Sequence, residues 1–99
     1  MREVIIQRVS LDPHRRLRLR PALSPPSAYD HIRDTSVRWD GLCGEFYVHD
    51  VPEFSNVDEF KEIIAAVSRE YGDKLILSAA TVYADIPSAL IAALRESTA

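Results

Sequence analysis

The chain has 99 residues and a net charge of −3, with 46% hydrophobic and 27% charged residues. That composition supports one globular domain over residues 1–99 and excludes a disordered chain. The lone cysteine, Cys43, excludes an intrachain disulfide, and no run is apolar enough for a signal peptide or a bilayer span, so the expected setting is the cytoplasm.

"REVIIQRVS", residues 2–10, is rich in β-branched residues and predicts a strand with Val4 and Ile6 on one side, Ile5 and Val9 on the other. "LDPH", residues 11–14, is turn chemistry. In "RRLRLR" the period is two: Leu17 and Leu19 point one way, Arg16, Arg18 and Arg20 the other. Pro21 ends this second strand, and Pro25-Pro26 forbids regular pairing beyond it. Ser27 and Asp30 are spaced to cap a single helical turn over 28–33.

"TSVRWDGLCGEFYVHD" predicts a hairpin with Asp40-Gly41 as a two-residue loop. Trp39 then faces Leu42, Val37 faces Gly44 and Thr35 faces Phe46, with Val48 on the same side. Ser36, Arg38, Cys43, Glu45, Tyr47 and His49 take the opposite side. In "SNVDEFKEIIAAVSREYGD" the residues Val57, Phe60, Ile64, Val67 and Tyr71 form one helical stripe. Asn56 with Glu59, or Ser55 with Asp58, makes a capping box, and Gly72 is placed as a left-handed stop. "KLILSAATVYAD" has almost no polar alternation and predicts a strand over 75–84 covered on both faces. "DIPSALIAALRES" predicts a second helix with Pro87 in its first turn.

The order β-β-β-β-α-β-α implies a two-layer α+β fold: a mostly antiparallel sheet of four to five strands with two helices packed on one face. The charges are split along it. Residues 1–38 carry eight arginines against four carboxylates, whereas residues 39–99 carry four cations against eleven carboxylates. Such lobes satisfy each other within one fold, or support head-to-tail association of two copies.

No motif names a reaction. With only Gly41, Gly44 and Gly72, there is no phosphate-binding glycine loop. His14, His31 and His49 match no metal-ligand spacing, and no metal or cofactor is expected. Cys43 and His49, six residues apart on one strand face, lie about 20 Å apart, too far for a nucleophile–base pair. Asp58, Glu59 and Glu62 could hold a divalent cation weakly, but acidic residues in a first helical turn are favoured by the helix dipole alone.

The arginine stripe has two readings. It forms cross-strand pairs with Glu45, or, with Arg18, Arg38, Glu45, Tyr47 and His49 together, it makes a polar-aromatic face that binds a protein partner or a second copy. Nucleic acid is not expected, because the chain is acidic and its aromatics are not interleaved with the arginines. The leading expectation is therefore a non-catalytic binding domain, with a homodimer as one form of it.

The rival is a small enzyme or small-molecule binder. If strands 45–50 and 75–84 are parallel neighbours, their ends gather His49, Asp50, Glu53, Tyr83 and Asp85. A third reading is an immunity-type or regulatory protein whose acidic half, residues 45–62, meets a basic target. In size and lack of motifs the chain resembles small orphan domains of bacterial accessory genes such as integron cassettes. No residue pattern carries that likeness, so it implies no site.

Overall fold

A computed structural model describes residues 2–25 and 32–98. The ten residues Arg2–Leu11 form β1, the strand on which the sheet is built. Leu17–Pro21 (β2) returns antiparallel to it, and β3 (Val37–Asp40) and β4 (Glu45–Val48) form the hairpin. After α1 (Asn56–Tyr71) come β5 (Asp73–Ile76) and β6 (Val82–Ala84), both parallel to β1, and then α2 (Ser88–Ser97). The sheet order is β3-β4-β2-β1-β5, with β6 pairing further along β1. The result is the expected α+β architecture, with a mixed sheet and one more strand than the sequence suggested.

Alternation sorts the sheet into two faces. Val4, Ile6, Val9, Leu17, Leu19, Val37, Trp39, Phe46 and Val48 are buried against Phe60, Ile63 and Val67 of α1 and Leu94 of α2. Val9 joins Val4 and Ile6, contrary to the expected split, because the β1–β2 register slips between Ile6 and Arg8. One extra residue in a strand reverses which side the following residues face. Ile5 is left 40% exposed on the other face.

The hairpin keeps its expected faces but not its expected loop. Trp39 pairs with Phe46 and Val37 with Val48, so the loop is Gly41–Gly44. The Asp40 carboxylate accepts from the amides of Leu42 and Cys43, and Gly44, at φ 70°, donates to the Asp40 carbonyl. Side-chain bonding by Asp40 thus builds a wider turn than the dipeptide alone demands. The register moves by an even number of residues, which preserves the faces, but Leu42 lies fully exposed rather than opposite Trp39. The Trp39 indole is buried, its ring centroid 4.7 Å from that of Phe46.

The expected strand over 75–84 is two strands. Between them Ser78 and Thr81 turn their hydroxyls on the backbone. Thr81 Oγ1 donates to the Ile6 carbonyl at 2.7 Å and accepts from the Ser78 amide, while Ser78 Oγ accepts from Ala80. These local bonds replace ladder bonds beside the β1 irregularity. The turn expected over 28–33 falls largely outside the described residues. Ile32, within that stretch, is buried in the core.

α1 is capped by Ser55 and Asp58, the second of the two expected boxes, and stops at left-handed Gly72. The Ser55 amide holds the Asp58 carboxyl below the usual aspartate range. Glu59 is thereby released to another task. Fully buried, it takes Arg16 Nη1 at 3.0 Å, Asn56 Nδ2 at 2.7 Å and the Leu17 amide at 3.3 Å, tying the first turn of α1 to the start of β2. At the other end of the sheet Arg2 makes a two-pronged pair with Asp73 across β1 and β5. Among the described residues no helix is long and apolar enough to cross a membrane.

Removing Glu59 strands a partly buried guanidinium and a buried amide, so Glu59→Ala is expected to cost about 3 kcal/mol. Phe60→Ala, which opens a cavity one residue on, is expected to cost roughly 3–5 kcal/mol. Urea unfolding of the two variants checks both, and a loss under about 1 kcal/mol for Glu59→Ala would contradict the buried anchor.

Candidate functional site

Both helices pack on the apolar face, and among the described residues no helix covers the opposite, open face. Cross-strand pairing builds it in rows. Ser10, Arg18, Tyr47 and Arg38 lie side by side across β1, β2, β4 and β3. The next row carries Arg8 beside Arg20, and Glu45 beside Asp40.

Arg18 is the centre of this face. Its Nη1 lies 3.0 Å from Asp40 and 3.5 Å from Glu45, its Nε lies 3.5 Å from Asp12, and its guanidinium sits 4.5 Å from the centre of the Tyr47 ring. Burial opposes its charge, but the bonds to Asp40, Glu45 and Asp12 outweigh that and raise its pKa further above the range in which it could lose a proton. In return the Arg18 guanidinium, helped by the Cys43 amide, holds the Asp40 carboxyl below the usual aspartate range. Arg20 reaches the other Glu45 oxygen at 3.8 Å. The cross-strand pairs expected from the stripe are therefore present. Arg16 departs from the stripe, since it turns to Glu59 on the helix side.

These pairs use up Asp12, Asp40 and Glu45. Arg8 and Arg38 make no ion pair among the described residues, and Arg38 Nη1 and Arg20 Nε are buried without a hydrogen-bond partner there. The open face thus carries cations that no described carboxylate pairs.

At one end the face runs into a polar cleft of about 410 Å³, lined by Asp12, His14, Arg16 and Arg18 from the β1–β2 turn and by Tyr47, Val48, His49 and Asp50 from the end of β4. The turn is held by the Asp12 carboxylate, which accepts from the amides of His14 and Arg16 at 2.9 Å. Arg15 is left in the left-handed region at φ 61°, and its carbonyl accepts from Asn56 Nδ2. A bulky residue adopts that conformation only where surrounding bonds enforce it. The His49 amide donates to the Ser36 carbonyl, which fixes the chain leaving β4.

Of the residues singled out from sequence, Arg18, Arg38, Glu45 and Tyr47 do lie on one face, with His49 at its rim. The alternative grouping separates. β2 and β1 stand between β4 and β6, so those strands are about 14 Å apart rather than neighbours. His49 and Asp50 line the cleft, whereas Glu53, Tyr83 and Asp85 do not. Tyr83 lies on the core side of β6 and stacks loosely with Arg95. Asp12, His14 and Arg16 were missed as site residues. Their signal was the turn itself, which falls beside His49 once β2 is known to pair with β4.

Cys43 lies exposed in the hairpin loop, and the nearby Asp40 charge pushes its thiol pKa up, the reverse of what a nucleophile needs. Asp58 and Glu59 are committed to the cap and to Arg16. Among the described residues no three His, Cys, Asp or Glu side chains converge as a metal site.

No family model and no curated protein matches the chain. Among solved structures it is similar to the integron cassette protein Hfx_Cass5, from the mobile metagenome of the North West Arm sewage outfall. The two are 24% identical, with 98% of this chain and 96% of that chain covered, at a TM-score of 0.44. A likeness at that level carries no argument about the site.

The depressed Asp40 value has a pH consequence. The folded value lies below the unfolded one, so the pair's contribution to stability is complete above the ordinary aspartate range and is lost as pH falls through the lower folded value. In a carboxyl NMR titration Asp40 is expected to have a midpoint below that of a free aspartate, and Arg18→Met is expected to raise it. A midpoint indifferent to that substitution would break the link.

Proposed function

We propose that this protein is a non-catalytic binding domain that uses its open sheet face to grip a carboxylate-bearing protein surface. The observation that carries this reading is the imbalance on that face. Arg18 and Arg20 take the available carboxylates, and Arg8 and Arg38 have none among the described residues. Tyr47, half-buried between Arg18 and Arg38, supplies rigid aromatic contact area at the centre. Arginine and tyrosine together are the residues most enriched where protein interfaces carry their binding energy.

Charge also nominates one occupant. The surface of α1 presents Asp58, Glu62 and Glu70 against Lys61 and Arg69, so a second copy of the chain offers a helix with a small acidic excess to this face. Such contact is head-to-tail rather than two-fold. An acidic partner of another kind would use the same residues.

A second reading has its own observation. The cleft at the end of β4 sets His14, His49 and Arg18 together with Asp12 and Asp50 around a polar volume of small-ligand size. It is the surviving part of the small-molecule alternative.

Backbone-amide NMR separates these readings. The spectrum is followed on dilution of the protein alone, on addition of poly-L-glutamate, and on addition of inorganic phosphate. Amides of Arg8, Arg38 and Tyr47 are expected to move on dilution or with the polyanion, less so at high salt, and to stop responding in an Arg8→Ala/Arg38→Ala variant. Response confined to His14 and His49 with phosphate would favour the cleft reading. Open-face amides that stay still in the first two arms would overturn the binding face.

A further inference from the structure

A second cavity lies at the β5 edge of the sheet, away from the arginine rows and the cleft. It measures about 550 Å³ and runs between α1, β5 and the end of α2. Its apolar surface comes from Ile64 and Ala65 of α1 and from Leu75 and Leu77 on and after β5. The chain holds only two lysines, Lys61 and Lys74, and both border this cavity.

The two lysines share with Arg8 and Arg38 the lack of an ion pair among the described residues, whereas Arg2, Arg16, Arg18 and Arg20 all meet carboxylates within 4.0 Å. Arg95 lines an adjoining cavity that shares Leu77 and Thr98 with the first, which places a third cation at its margin.

The strand contributes a further donor set. Four consecutive residues, Lys74 to Leu77, line the cavity. Side chains alternate along a strand, so a cavity that touches every residue follows the strand's edge rather than one face. That edge is the outer side of β5, where no strand pairs among the described residues. Every second residue there turns its backbone N–H and C=O outward.

From these features we propose that the groove binds a small amphipathic organic acid. The carboxylate lies between Lys61 and Lys74, within reach of the edge amides, and the apolar body lies on Ile64, Ala65 and Leu77 over buried Leu75. The volume falls in the range of small-ligand sites, which are mostly apolar with a few placed polar groups. Lysine suits the task because its ammonium is a mobile point charge on a flexible stem that also covers apolar surface. The site is independent of the arginine face, so failure of one leaves the other standing.

The test is a backbone-amide NMR titration with hexanoate, using hexan-1-ol as the neutral control and acetate as the headgroup control. Hexanoate is expected to give saturable shifts at Ile64, Ala65 and Lys74 through Leu77, with each control about tenfold weaker or more. Lys61→Gln/Lys74→Gln is expected to weaken hexanoate about tenfold while its unliganded spectrum stays as dispersed as that of the wild type. Hexan-1-ol binding as well as hexanoate, an undiminished response in the double variant, shifts elsewhere, or no saturable response would each overturn the proposal.

Discussion

One guanidinium sets the terms for the open face. Arg18 sits in the middle strand of the β4-β2-β1 run and gathers Asp12 from the β1–β2 turn, Asp40 from β3 and Glu45 from β4, with the Tyr47 ring beneath it. Glu45 is nearly buried, and a buried carboxylate without a cation is costly by several kcal/mol, roughly. The side chain that resolves this cost also positions two turns. Asp12 and Asp40, besides pairing with Arg18, each accept two backbone amides and so shape the turns at opposite ends of the face. Charge pairing, turn geometry and strand register are in this way coupled through one residue.

The coupling also determines what is left over. An isolated ion pair on an exposed sheet contributes little to stability. Here the pairs matter by exclusion: they claim Asp12, Asp40 and Glu45 and leave Arg8 and Arg38 without an ion pair among the described residues. The helix side shows the same economy in a different form. Glu59 satisfies Arg16, Asn56 and the Leu17 amide at once, which anchors α1 and draws Arg16 out of the stripe.

Period-two alternation made much of this legible beforehand. Leu17 and Leu19 against Arg18 and Arg20, and Trp39 and Phe46 against Arg38 and Tyr47, were readable because alternation survives any even shift of register. The hairpin loop was misjudged for a related reason: Asp40-Gly41 signals a tight turn locally, but the reach of the Asp40 carboxylate to Leu42 and Cys43 decides the loop length. Val9 was assigned to the wrong side because a slip in β1 leaves no mark in composition, whereas Ile5, ahead of the slip, lies opposite Val4 and Ile6 as expected. The Ser78–Thr81 interruption hides within an apolar run, where two hydroxyls look incidental until Thr81 is seen bonded to the Ile6 carbonyl. The site was half legible. Its face followed from alternation, whereas its cleft depends on β2 lying beside β4, a long-range pairing that no local pattern encodes.

Arg18 compensates the buried carboxylate of Glu45 and thereby organises the open face. A double-mutant cycle with Arg18→Met and Glu45→Gln, read by urea unfolding, tests it most directly. Each single variant is expected to be destabilised and the double variant to lose less than the sum, with a coupling above about 0.5 kcal/mol. Additive losses, with Arg18→Met/Glu45→Gln no better off than independent substitutions imply, would contradict it.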